Sequence, residues 1–160
     1  MSIDPNNPVV ALCSAGMAIE GDSSTARALF EQAWQARRDD YEASIAAHFL
    51  ARHQPTVESR LHWNALAAQH AEAVTDDRIL ELRASLYLNL GDACLAAGNL
   101  ADAQTAADKA SASVSDLPIG GYRTFVEGGI ERLQRRLAEA GSSPEFHPAL
   151  SQDQSPVHDR

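Results

Sequence analysis

Residues 90–110 read LGDACLAAGNLADAQTAADKA, and this stretch decides how the rest of the chain is read. Gly98-Asn99 breaks the pattern, because glycine gives a helix a tight exit. Ala103, Ala107 and Ala110 follow at spacings of four and three. That spacing lines small side chains along one helix face, where a neighbouring helix can approach closely. The same arrangement recurs near the start of the chain. There Gly21-Asp22 is followed at identical distances by Ala26, Phe30 and Ala33.

The composition agrees with helices packed on helices. Of 160 residues, 29 are alanine, against four phenylalanines, three tyrosines and two tryptophans. Alanine is the best helix former and fills deep cores poorly, whereas sheets favour β-branched and aromatic residues. An all-α fold follows. Working outward from residues 90–110, the breaks predict about seven helices: 9–20, 23–38, 41–53, 57–74, 78–97, 100–113 and 122–140. Asp22 or Ser23, Asp39 or Asp40, and the run 75–77 supply N-terminal caps, Thr56 begins the fourth helix with Glu58 and Ser59 as further first-turn residues, and Gln54-Pro55 ends the third. Gly128-Gly129 costs the seventh about 2 kcal/mol of helix propensity, so either a close contact requires the pair or the helix bends there. Residues 1–8 read as a flexible leader, 9–140 as one helical domain, and 141–160, rich in Pro, Ser and Gln, as a disordered tail.

These residues resemble the tetratricopeptide repeat, a 34-residue helix-turn-helix unit with small and large positions at set offsets. Leu90-Gly91, Cys94, Gly98, Ala103, Ala107 and Ala110 track the repeat pattern, with Cys94 and Ala107 where larger side chains are usual. The first copy matches at Gly21, Ala26, Phe30 and Ala33 but has Cys13-Ser14 in place of leucine–glycine. The middle copy is degenerate. Ala33 and Ala67 keep the 34-residue period, yet Arg60 and Asn64 stand where alanine and an aromatic are usual. Ala67 and Ala110 are 43 apart, which places about nine extra residues in longer helices around 75–77. The resemblance implies an antiparallel helix-hairpin stack, an α-solenoid of about three repeats over residues 7–117, with the seventh helix as its terminal cap.

The charge balance narrows the partners. Thirteen basic against 22 acidic side chains give a net charge of -9, which argues against nucleic acid or an anionic membrane as the partner. Arg132, Arg135 and Arg136 are a local exception. Cys13 and Cys94 are far apart and read as buried free thiols of a reducing compartment, so a cytoplasmic location is expected. No basic-then-apolar leader and no long apolar run points to a signal peptide or a membrane span.

Four of the six histidines, His48, His53, His62 and His70, fall within residues 48–70, together with Arg52, Arg60 and Trp63. A zinc site would need three or four convergent ligands, and neither HExxH nor CxxC spacing is present. A histidine oriented by Asp40 or Glu58 could act as a base, but no nucleophile motif, phosphate loop or cofactor fingerprint accompanies it. No metal, cofactor or catalytic residue is assigned. Packing is the simpler role for His62 and Trp63, as amphipathic wedges between alanine-rich helices.

In tetratricopeptide proteins the first helix of each unit lines a concave groove for a peptide or partner helix. Carried over, that face comprises Ala11, Ala15, Ala18 and Ile19; then Glu42, Ile45, Phe49, Arg52 and His53; then Ser85, Leu88, Asn89, Asp92, Leu95 and Ala96. Tyr122, Arg123 and Val126 continue it. The leading contact residues are Ile45, Phe49, Arg52, His53, Leu88, Asn89, Asp92 and Arg123, and a working groove should leave Ile45, Phe49 and Leu88 accessible. The carboxylate clamp of some family members is not expected. Asn89 and Arg123 could serve it, but its lysines are missing and Lys109 lies on a second helix.

Three readings follow. The first is a non-enzymatic protein–protein interaction module that holds a peptide or partner segment. The second is a small regulatory or sensor protein with a ligand enclosed by His48, His53, His62, Trp63 and Tyr87. The third is a structural homodimer joined through the seventh helix, with Gly128-Gly129 and the arginine cluster at the interface.

Overall fold

A computed structural model describes residues 4–142. Within them the chain is all-α, a solenoid-like arrangement of seven α-helices: α1 Pro8–Ala18, α2 Ser23–Ala36, α3 Asp40–Arg52, α4 Val57–Ala73, α5 Leu80–Ala96, α6 Leu100–Ser113 and α7 Gly121–Gly141. Single 3₁₀ turns, Asp77–Ile79 and Val114–Asp116, precede α5 and follow α6. Three hairpins, α1–α2, α3–α4 and α5–α6, stack in chain order and α7 packs on the last. The proposed tail lies outside the described residues from 143 onward.

The helix starts are chemical. Asn7 caps α1 by accepting from the Val9 and Val10 amides, with Pro8 in the first turn, where its missing N–H is harmless. Its amide also donates to Glu42 at 2.8 Å, so the end of the segment read from sequence as a leader is tied to α3. Asp22 caps α2 and Asp39 caps α3. Thr56 and Ser59 form a reciprocal capping box on α4. Each satisfies amides that the first turn leaves without helical partners. The extra length of the middle region lies in α4 and α5, 17 residues each, against 14 for α2 and α6.

The two hairpin exits differ, contrary to their matching sequences. Gly98 has φ +80°. Its N–H donates to Leu95 O, and the Asn99 N–H donates to Cys94 O, which is the Schellman closure of α5. Gly21 is not in the left-handed region, because α1 has already ended at Ala18 and the turn closes through Asp22 N–H to Ile19 O.

Ala26, Ala33, Ala103, Ala107 and Ala110 are fully buried, as contact points of a stack must be. Volume is supplied around them in two ways. In the first hairpin Phe30 lies over Gly16, so close that a β-carbon there would run into the ring. Phe30 stacks on Phe49 of α3 at 5.4 Å, and Trp34 meets Trp63 of α4 edge-on at 5.0 Å. In the last hairpin the volume comes from outside it. Leu133 of α7 presses on Gly91, and Leu88 of α5 presses on Gly129. Of the glycine pair in α7, Gly129 is therefore the one packed against a neighbouring helix. Gly128 meets only the Arg132 side chain.

Candidate functional site

The odd-numbered helices form the inner wall of the stack and enclose a cleft of about 1260 Å³. Helix α1 contributes Val10, Ala11, Cys13, Ser14 and Met17. Helix α3 contributes Ile45, His48, Phe49, Ala51 and Arg52, and the start of α4 adds Val57, Arg60 and Asn64. The opposite wall is α5, from Leu82 to Ala96, with Tyr122, Phe125, Val126 and Arg136 of α7. Residues i, i+3, i+4 and i+7 of a helix share one face, so Ile45, His48, Phe49 and Arg52 reach the cleft together, as do Ser85, Leu88, Asn89 and Asp92.

Six of the eight contact residues expected from sequence line this cleft: Ile45, Phe49, Arg52, Leu88, Asn89 and Asp92. The other two do not. His53 turns back onto the α1–α2 corner, where Nδ1 lies 3.2 Å from Ser23 Oγ and Nε2 lies 3.5 Å from Glu20 Oε1, with the Phe30 ring at 5.1 Å. Arg123 pairs with Glu127 one turn along α7 at 2.9 Å. From the rest of the carried-over face, Glu42 is buried elsewhere, gripped by Arg38 and Asn7. The Arg38 guanidinium holds its carboxyl below the usual range.

Accessibility corrects the expectation for the floor. Ile45 and Leu88 are only 4% and 7% exposed and Phe49 is half-buried, since each side chain fills the space between helices and shows the cleft only an edge. The accessible apolar surface stands at the rim instead, on Met17 (42%), Tyr122 (38%) and Phe125 (68%). Met17 and Phe125 escaped the sequence reading. Phe125 carried a signal, a large aromatic one position outside the buried stripe Val126, Gly129, Ile130 and Leu133.

The cleft holds a polar pair at its centre. The Asn89 amide donates to His48 Nδ1 at 3.3 Å, which puts the imidazole proton on Nε2. Burial, with the nearby Arg52 charge adding to it, pushes His48 down to about 4, so the ring is neutral near pH 7. Arg52 pairs with Glu20 at 3.0 Å and Arg136 with Asp92 at 2.7 Å. Burial pushes the Cys13 thiol up to about 12, and Cys94 is raised for the same reason, so neither is a ready nucleophile.

The five residues drawn together for an enclosed ligand pocket are dispersed. Only His48 lines the cleft. His53 is at the α1–α2 corner, Trp63 packs on Trp34 between α2 and α4, and Tyr87 points to Glu72 and Lys109 on the far side. His62, expected as a packing wedge, is exposed and meets only the ring of its neighbour Trp63. His70 contacts Asp40 at 2.7 Å. Among the described residues, no three His, Cys, Asp or Glu side chains converge as metal ligands would, and no helix is long and apolar enough to cross a membrane.

At the α1–α2 corner His53 bridges a hydroxyl, Ser23, and a carboxylate, Glu20. The cap Asp22 places a second carboxylate beside Ser23, bonded to Thr25 and Ser24. These contacts fasten the end of α3 to the α1–α2 corner.

Compared with family models, curated proteins and solved structures, the chain gives no significant match.

Proposed function

We propose that this chain is a non-enzymatic interaction module of tetratricopeptide-like build, cytoplasmic, whose concave face holds an extended peptide or helical segment of a protein partner. The observation that carries the reading is the cleft between the odd-numbered helices, with Met17, Tyr122 and Phe125 exposed on its first and last walls. Large apolar side chains gathered at one concavity mark interaction surfaces on soluble domains, and aromatic residues dominate binding energy at such surfaces. Binding energy would come from the rim aromatics. Arg52, Asn89, Asp92 and Arg136 would set direction and register. The repeat offsets at Gly98, Ala103, Ala107 and Ala110 support the family assignment.

The test is selection of peptides from a random display library on the full chain, followed by titration calorimetry. The tightest peptide should lose tenfold or more in affinity for Phe125→Ser and for Met17→Ser, with the melting temperature held within a degree or two. Unchanged affinity in both variants would remove the concave face from consideration.

A further inference from the structure

We propose that His48 and Asn89 are the specificity-setting pair of the cleft, selecting a partner segment by one uncharged carboxamide side chain, of asparagine or glutamine, in preference to a carboxylate. The inference rests on the reading of the cleft as a peptide site and names the chemistry that the site takes. Three observations carry it.

The first is the unused hydrogen-bonding capacity of the pair. The Asn89 amide uses one N–H on His48 Nδ1 at 3.3 Å. Neither the His48 Nε2–H nor Asn89 Oδ1 has a hydrogen-bond partner among the described residues, and neither atom is sealed from solvent. Both residues line the cleft, so an occupant meets donors and an acceptor together. A carboxamide brings one acceptor and two donors and matches both. A carboxylate brings acceptors only and leaves Asn89 Oδ1 facing negative charge.

The second is charge. Arg52 is paired with Glu20, and Arg136 with Asp92. Arg60, which has no ion pair among the described residues, is exposed in the first turn of α4. Burial keeps Cys13 of α1 a thiol, and burial with the Arg52 charge keeps the His48 imidazole neutral near pH 7. The centre of the cleft therefore has no unpaired cation to offset the desolvation of a carboxylate. An uncharged amide exchanges its hydrogen bonds to water for those of the pair. The third is depth. Ile45 and Leu88, beside the pair on α3 and α5, are almost fully buried, whereas Met17, Tyr122 and Phe125 stand exposed at the rim. A main chain resting on that rim reaches the floor through a side chain, which assigns the amide to Asn or Gln rather than to a peptide group.

The experiment selects peptides from a random display library on the full chain near pH 7 and titrates the tightest one by calorimetry. Selected peptides should share an asparagine or glutamine at one register between their apolar residues. Changing it to the matching acid should cost about tenfold or more in affinity, since a site that hydrogen-bonds a group rejects the analogue that lacks it. In full-length Asn89→Leu and His48→Phe, each checked for an unchanged melting temperature, the same peptide change should cost less than about threefold, because the interacting pair is broken. Wild type that accepts the acid with an equally small loss would overturn the proposal, as would discrimination that survives in both variants. So would selected peptides that share no asparagine or glutamine yet bind Asn89→Leu more weakly, since the pair would then hold main chain. Phe125→Ser and Met17→Ser tell the two readings apart. A peptide that needs the rim but not the pair leaves the cleft reading standing while this inference falls. If it needs neither, or if no peptide is selected, both fall.

Discussion

The first and last hairpins carry the same turn residues and the same small positions, and they are built differently. In α1–α2 the bulk comes from within, with Phe30 against Gly16 and reaching Phe49. In α5–α6 the position matching Phe30 is Ala107, and bulk arrives from α7 through Leu133 on Gly91. The shared spacing specifies where helices touch. It leaves open which side chain fills the space, and the consequence reaches function. Helix α7 spends Val126, Ile130, Leu133 and Leu137 on the core and turns Tyr122 and Phe125 outward onto the cleft rim.

The sharpest way to break the comparison is at Phe30. Phe30→Ala should cost about 3–5 kcal/mol, read by urea unfolding, because one ring joins α1, α2 and α3. A smaller loss would mean that the first hairpin does not depend on its internal bulk. Next comes the pair of close glycines. At Gly16 an added methyl meets a rigid, fully buried ring. Overpacking of about 3 kcal/mol, less about 1 regained in helix propensity, predicts a net loss near 2. At Gly91 the nearest atom is the end of a leucine that can rotate, so Gly91→Ala should stay within about 1 kcal/mol of wild type. Equal losses at both would erase the distinction.

A pH experiment sharpens the middle of the molecule. His48 stays neutral in the fold down to about 4, against an ordinary value of 6.5. Between these limits the unfolded chain takes up a proton that the folded chain refuses. Stability is therefore complete above pH 6.5 and falls as pH drops toward 4, by about 1–2 kcal/mol for a group of partial exposure. His48→Gln should flatten that limb of the stability profile. A profile unchanged by the substitution would show that His48 is solvated. The smallest effect separates the two exits. Gly98→Ala should lose about 1 kcal/mol at its positive φ, while Gly21→Ala, with no such φ and no atom within 4 Å of the new methyl, should be neutral. Chevron or thermal data on the two variants decide it.

Much of the helical layout was legible because its signals are local. Asp22, Asp39, Thr56 with Ser59, and Gly98 act within four residues of themselves. The inner face was partly legible, because helix periodicity brings Ile45 with Phe49 and Leu88 with Asp92 to one side. What escaped depends on distant partners. Nothing around Gly16 announces that Phe30 lies over it. Nothing around His53 announces that Ser23 and Glu20 will turn it away from the cleft. How deeply Ile45 and Leu88 sink between helices is likewise set by neighbours far along the chain, which is why the accessible apolar surface moved to Met17, Tyr122 and Phe125.

The central claim is that the odd-numbered helices present the binding face. Amide chemical-shift mapping of the full chain with its tightest selected peptide tests it directly. The largest shifts should fall on α1, α3, α5 and α7, clustered around Met17, Asn89 and Phe125. Shifts concentrated on α2, α6 and the second half of α4 would contradict the account.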